Sequence, residues 1–189
     1  GAAVTDALFM SSRDGVAFRR WGEAIIRPGP QREGTWTYGD NYQAWGMIET
    51  ASALDGAPPE LSFFISEHYW RDPASKTRRY ALRQDGFVSA NADLAGGELI
   101  TKPLSFEGAN LEINFATSAA GSVRVEIQDP AGQPIDGFGL GHCVEQIGDE
   151  LDRVVTWKHG PDVSALAGRA LRLRFALADA DVYSFRFVV

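Results

Sequence analysis

Trp36, Tyr38, Asp40, Asn41, Tyr42 and Trp45 bring ring faces and planar polar groups together within ten positions. That mixture suits a sugar, whose C–H groups stack on aromatic faces while its hydroxyls need a few convergent polar partners. The segment is a loop entering a strand. The same rings could equally seal one sheet against a neighbouring domain. A second group, Glu67 and His68 with Tyr69 and Trp70 after them, stands at a strand end, where it could face a ligand. Glycoside hydrolysis needs two carboxyls, roughly 5–5.5 Å apart for retention or 6.5–9.5 Å for inversion. Asp40, Glu49 and Glu67 are the carboxylates to consider, but no positioned pair can be inferred, and a solvated strand end is the competing reading. No catalytic residue is assigned.

Metal and cofactor chemistry has little to stand on. His68, His142 and His159 lie far apart and lack HExxH spacing. Glu98, Asp149, Glu150, Asp179 and Asp181 could hold a structural Ca²⁺ through oxygen ligands, although exposed turn acids are far commoner than calcium sites. Neither a Walker-type or GxGxxG loop nor a G-x-S-x-G elbow is present. The glycine-rich turn Gly137-Phe138-Gly139-Leu140-Gly141 lacks the following helix that a phosphate site uses. Cys143 is the one cysteine, which excludes an intrachain disulfide and a Cys-based zinc site, and it reads as a small buried hydrophobe.

The elements that must position these groups are strands. The 189 residues are 44% hydrophobic and 23% charged, a globular composition with room for one large or two small domains. The net charge of −7, with no basic cluster beyond Lys76-Thr77-Arg78-Arg79, argues against a nucleic-acid partner and an anionic membrane surface. No apolar run reaches the roughly 20 residues that span a bilayer. The start at Gly1-Ala2-Ala3-Val4 has neither an initiator Met nor the pattern of a signal peptide, and leads us to expect a mature or excised fragment.

Alternation of period two dominates the second half. Leu111–Phe115, Val123–Ile127, Leu171–Leu177 and Tyr183–Val189 put apolar residues on one face and polar ones on the other, and Leu151–Trp157 reads as another strand, its apolar run broken by Arg153 and Thr156. Ala119-Ala120-Gly121, Asp129-Pro130-Ala131-Gly132 and Ala178-Asp179-Ala180-Asp181 read as the turns between them. Asp162 to Gly168 reads as one helical turn, capped by Asp162 or Ser164 and stopped by Gly168. The expectation is an all-β chain: an antiparallel, jelly-roll-like β-sandwich over residues 91–189, preceded by a blade-like antiparallel sheet over residues 1–90. In that first region Asp6–Ser12, Val16–Phe18, Ala44–Thr50, Glu60–Glu67 and Thr77–Leu82 are the strand candidates. Strands joined in this way could form a single propeller-type blade, which cannot bury both faces alone.

Ser11-Ser12-Arg13-Asp14-Gly15-Val16-Ala17-Phe18-Arg19-Arg20 resembles the SRDG-x-x-F-x-R strand-turn-strand of five-bladed-propeller glycoside hydrolases of the invertase-like and arabinanase-like groups. Glu60-Leu61-Ser62-Phe63-Phe64-Ile65-Ser66-Glu67 resembles a following blade strand. Gly96-Gly97-Glu98-Leu99, Gly121 to Glu126, Asp162 to Gly168 and Asp179 to Tyr183 are similar to the β-sandwich that follows the propeller in bacterial proteins of that kind. The resemblance implies a last blade plus an accessory sandwich, whose partner is the catalytic propeller of the same parent, in a secreted or periplasmic setting. The three acidic catalytic residues of such enzymes lie chiefly on the earlier blades, so none is carried onto this sequence. Carbohydrate contact through Trp36 to Trp45 would be an addition to a structural role. The alternatives are a stand-alone carbohydrate-binding module and a complete small hydrolase.

Overall fold

The computed structural model describes residues 4–33, 35–69 and 75–189, so Gly1-Ala2-Ala3, Gly34 and Trp70 lie outside the described residues. The chain is all-β, and among the described residues it is antiparallel throughout, with one 3₁₀ turn. It divides into two compact units, Gly1–Phe87 and Val88–Val189.

Among its described residues the first unit contains two separate ladders. Strands β1 (Ala7–Ser12) and β2 (Phe18–Ile26) form a hairpin, while β3 (Ile48–Thr50), β4 (Glu60–Glu67) and β5 (Lys76–Arg83) form a three-stranded sheet in chain order. The antiparallel, blade-like character is therefore divided between a pair and a triplet of strands. The hairpin turn closes on itself: Ser12 Oγ accepts from Gly15 N–H at 2.9 Å, and Asp14 Oδ1 accepts from Val16 and Ala17 N–H at 2.9 and 2.8 Å. Satisfied backbone donors of this kind are what a tight Ser/Asp turn supplies. Ile26, Phe63 and Ile65 form a small core, with Ala7, Tyr80 and Leu82 against it.

The second unit is one strongly curled sheet, sandwich-like in section, made of β6 (Ala90–Ala92), β7 (Gly97–Ile100), β8 (Asn110–Gln128), β9 (Asp149–Val154) and β10 (Arg172–Val188). Strands β8 and β10 pair along nearly their whole lengths, from Arg172 opposite Gln128 to Val188 opposite Asn110. Here the structure corrects the expected strand count. Ala119-Ala120-Gly121 and Ala178-Asp179-Ala180-Asp181 do not separate strands; they are facing bulges within two long ones. Between the pairs Ala180–Thr117 and Ala178–Ser122, Asp179 alone stands against residues 118–121.

The bulge sets which side chains point inward. On β10 the buried set is Leu173, Phe175 and Leu177, then Ala180 and Val182. One inserted residue flips the alternation from odd to even, as the two-residue side-chain period requires. Asp179 takes a φ of 42°, which Asp tolerates better than a β-branched residue. Gly121 lies so close that a Cβ would come within 2.2 Å of the Asp179 carbonyl oxygen. Under the curled sheet Leu111, Ile113 and Phe115 meet Val123, Val125 and Ile127, all fully buried. Trp157 closes the core and satisfies its indole N–H on Val125 O at 3.1 Å. Cys143 is buried beside it as a small hydrophobe, and burial raises its thiol pKa. The 3₁₀ turn Ser164–Leu166 begins with Ser164 N–H donating to Asp162 Oδ1 at 2.8 Å, and Gly168 follows at a φ of 74°.

Candidate functional site

The ring-rich segment runs along β4 on the side where β3 pairs, ahead of β3 in the chain. Asn41 N–H donates to Ser66 O at 2.8 Å, Ser66 N–H to Tyr42 O at 2.9 Å, and Ala44 N–H to Phe64 O at 2.8 Å. Gln43 forms a bridge with Ile65, and pairing resumes at Ile48 opposite Ser62. Residues 45–47 therefore stand against Phe63 alone, an edge bulge that Gly46 permits with a φ of 87°. The bulge ejects Trp45, which is 103% exposed. Alternation along the two edges puts Tyr42, Phe64 and Ile48 on one face, and all three are exposed. Tyr38 stands edge-on to Tyr42, ring centroids 6.4 Å apart.

Asp40 and Asn41 turn the other way and are buried. Asp40 Oδ1 accepts from Tyr69 N–H at 2.7 Å, and Asn41 Nδ2 donates to Thr5 O at 2.7 Å. Both pin the loop, leaving the rings as its outward chemistry. Gly39 is required here as well, because a Cβ would enter the Tyr69 ring at 2.1 Å. Trp36, Asn41 and His68 adopt φ values of 60°, 66° and 57°. Such conformations cost about 1–3 kcal/mol each and persist only where surrounding bonds hold them. Trp36 is held by its indole N–H, which donates to Gly29 O at 2.9 Å.

The candidate carboxylates are engaged. Glu67 accepts from Arg78 Nε at 2.7 Å and from Tyr80 O–H at 3.2 Å, and the Arg78 bond holds its pKa below the ordinary value. Glu49 accepts from Gln84 Nε2 at 2.9 Å. Of the carboxylates weighed for calcium, Glu98 pairs with Arg174, Glu150 pairs with Arg153, and Asp181 accepts from Ser89 and Asn91. No group of three or more His, Cys, Asp or Glu side chains is gathered for a metal among the described residues. No helix among them is long and apolar enough to cross a membrane.

The structure thus brings Tyr38, Tyr42 and Trp45 to one exposed edge and commits Asp40, Asn41 and Glu67 to the framework. Sequence reasoning missed Thr5 and Gly39 as parts of that framework, and it missed a cleft beside the hairpin turn lined by Arg13, Arg19 and Trp21. Arginines flanking the SRDG turn were the available hint. No protein-family model, curated protein or solved structure matches the chain.

Proposed function

We propose that the chain is a non-catalytic accessory region of a carbohydrate-active protein, and that the edge carrying Tyr38, Tyr42 and Trp45 contacts glycan. One observation carries the reading. Asp40 and Asn41 are spent on holding the loop's backbone, while Tyr38, Tyr42 and Trp45 stand exposed beside it. A backbone pinned this way presents the rings without a backbone-ordering cost at the moment of binding. Glu67, whose pKa is lowered by the Arg78 bond, is unsuited to the general-acid role, which needs a raised pKa.

The test is a titration of the chain with neutral mono- and oligosaccharides, read by tryptophan fluorescence. A saturable change lost in Trp45→Ala and weakened in Tyr42→Ala is expected. A flat response from folded protein across the panel, or a response unchanged in Trp45→Ala, overturns glycan contact at this edge.

A further inference from the structure

Beside the turn between β1 and β2 lies a cleft of about 580 Å³ whose walls include Ser11, Ser12, Arg13, Arg19 and Trp21. Its size falls in the usual range of small-molecule sites. Ser11 pairs with Arg19 across the ladder, so their side chains share a face, and Trp21 follows on that face two residues later. The Arg19 guanidinium sits 4.4 Å from the centroid of the Trp21 ring. Stacking in this way fixes the plane of the fork and leaves its N–H edge free for an anion. Neither Arg13 nor Arg19 forms an ion pair among the described residues, so both guanidinium groups keep donors for a ligand. The indole N–H of Trp21 is shielded from solvent and has no acceptor among the described residues, which is costly for a buried donor.

The charge balance narrows the anion. Asp14 also lines the cleft, and backbone bonds from Ala17 and Val16 lower its pKa to about 2, so it is ionised at neutral pH. Arg13 and Arg19 against Asp14 leave a single positive charge, suited to a monoanion more than to a phosphate dianion. A phosphate would also seek a nest of free backbone N–H groups. The turn has used its own, since Gly15 donates to Ser12 Oγ and Val16 and Ala17 donate to Asp14 Oδ1.

We propose that this cleft binds a carboxylate carried on a saccharide-sized frame, a uronic acid being the class that fits its volume and charge. The saccharide half rests on the carbohydrate reading above; the carboxylate half rests on the cleft alone.

The test follows the indole N–H resonances of the full ¹⁵N-labelled chain, with Trp21 identified by Trp21→Phe and Trp45 by Trp45→Phe. The probes are a uronic acid, the neutral hexose of the same ring, acetate and inorganic phosphate. The uronic acid should move the Trp21 resonance saturably, with affinity at least about tenfold weaker in both Arg19→Gln and Arg13→Gln, the change expected when a charged hydrogen bond is lost. Both arginines are exposed, so the variants should keep the parent backbone spectrum. If one does not, the other carries the test. An unmoved Trp21, equal affinity for the neutral hexose, or tighter binding of phosphate overturns the proposal. Acetate matching the uronic acid removes the saccharide frame and overturns it in that half. Neutral sugars moving Trp45 while Trp21 stays silent with the uronic acid would sink this site alone; the reverse pattern would sink the aromatic edge alone.

Discussion

The two units solve the problem of holding strands together in different ways. Among the described residues, Val88–Val189 gathers eighteen buried residues into one cluster, whereas Gly1–Phe87 gathers three. The first unit leaves Leu8, Met10, Phe18, Trp45, Met47 and Ile48 exposed, each at 38% or more. Each fully buried aliphatic or aromatic side chain contributes about 1.5–3 kcal/mol, so the second unit carries most of the hydrophobic stabilisation. The first relies on bonds such as Asp40 to Tyr69 and Asn41 to Thr5, which fix shape but add only about 0.5–3 kcal/mol each. A region built like this keeps a defined surface while its apolar side chains stay available to something else. That is the physical ground for reading it as the contacting unit and the curled sheet as the support.

The comparison is broken most directly by amide hydrogen exchange. Protection should be greatest on β8 and β10 and much lower on β1 and β2, because local opening tracks buried contact. Equal protection in both units would refute the contrast. In the same vein, Phe175→Ala empties a fully buried position and should cost about 3–5 kcal/mol. The expected readout is a lower guanidinium midpoint. Trp45→Ala, at a fully exposed site, should stay within about 0.5 kcal/mol.

A second probe goes to the fold of the sheet itself. Gly121→Ala pushes a Cβ into backbone, 2.2 Å from Asp179 O and 2.7 Å from Ala178 O, so no flexible side chain can yield. A cost of about 1–3 kcal/mol is expected, the usual range for overpacking. Ala120→Gly, on the exposed part of the same bulge, is the control that should leave the midpoint nearly unchanged.

This position also marks what could be read without coordinates. Strict alternation in Leu171-Arg172-Leu173-Arg174-Phe175 made an all-β, antiparallel fold legible, because only a one-sided sheet uses that pattern. The continuity of β8 and β10 was not legible. A small-residue run containing glycine, or an Ala-Asp-Ala-Asp run, suits a hairpin turn and a bulge equally well. What decides is Gly121 meeting the Asp179 backbone, a contact between segments far apart in sequence. The ring content of residues 36–45 was visible for the same reason that composition always is. The inward aim of Asp40 and Asn41 was not, since their partners Tyr69 and Thr5 are 29 and 36 residues away.

Acidification separates the units less strongly. In the second unit, burial pushes Glu126 upward, yet bonds from Gln128, the Leu140 N–H and Arg174 outweigh it and hold its pKa below 4.5. A lowered folded-state pKa means stabilisation that is complete above the unfolded value and lost as pH falls through the folded one. The guanidinium midpoint should therefore decline below about pH 4.5, and Glu126→Gln should flatten that decline. The variant should also cost about 1–3 kcal/mol at pH 7, because a charged acceptor is lost at a buried site. Glu67 in the first unit is lowered in the same direction by Arg78, but that guanidinium is 56% exposed and solvent screens the pair. Glu67→Gln should change the acid limb by less than Glu126→Gln does.

The smallest effect is the most local, and it tests whether the first unit holds its shape through backbone bonds. Asp14 is fully exposed, yet its carboxylate accepts from Ala17, Val16 and Ser12, which lowers its pKa from 3.8 to about 2. The turn's stabilisation is thus present above the unfolded value of 3.8 and disappears as pH falls towards 2. The amide shifts of Val16 and Ala17 should titrate with a midpoint near 2, while the Leu140 amide, bonded to Glu126, reports the second unit's buried carboxylate. A midpoint near 3.8 at the turn would mean that these bonds do not persist in solution. The hairpin would then lack the local restraint that compensates for its missing core, and the cleft beside it would lose the geometry on which anion binding depends.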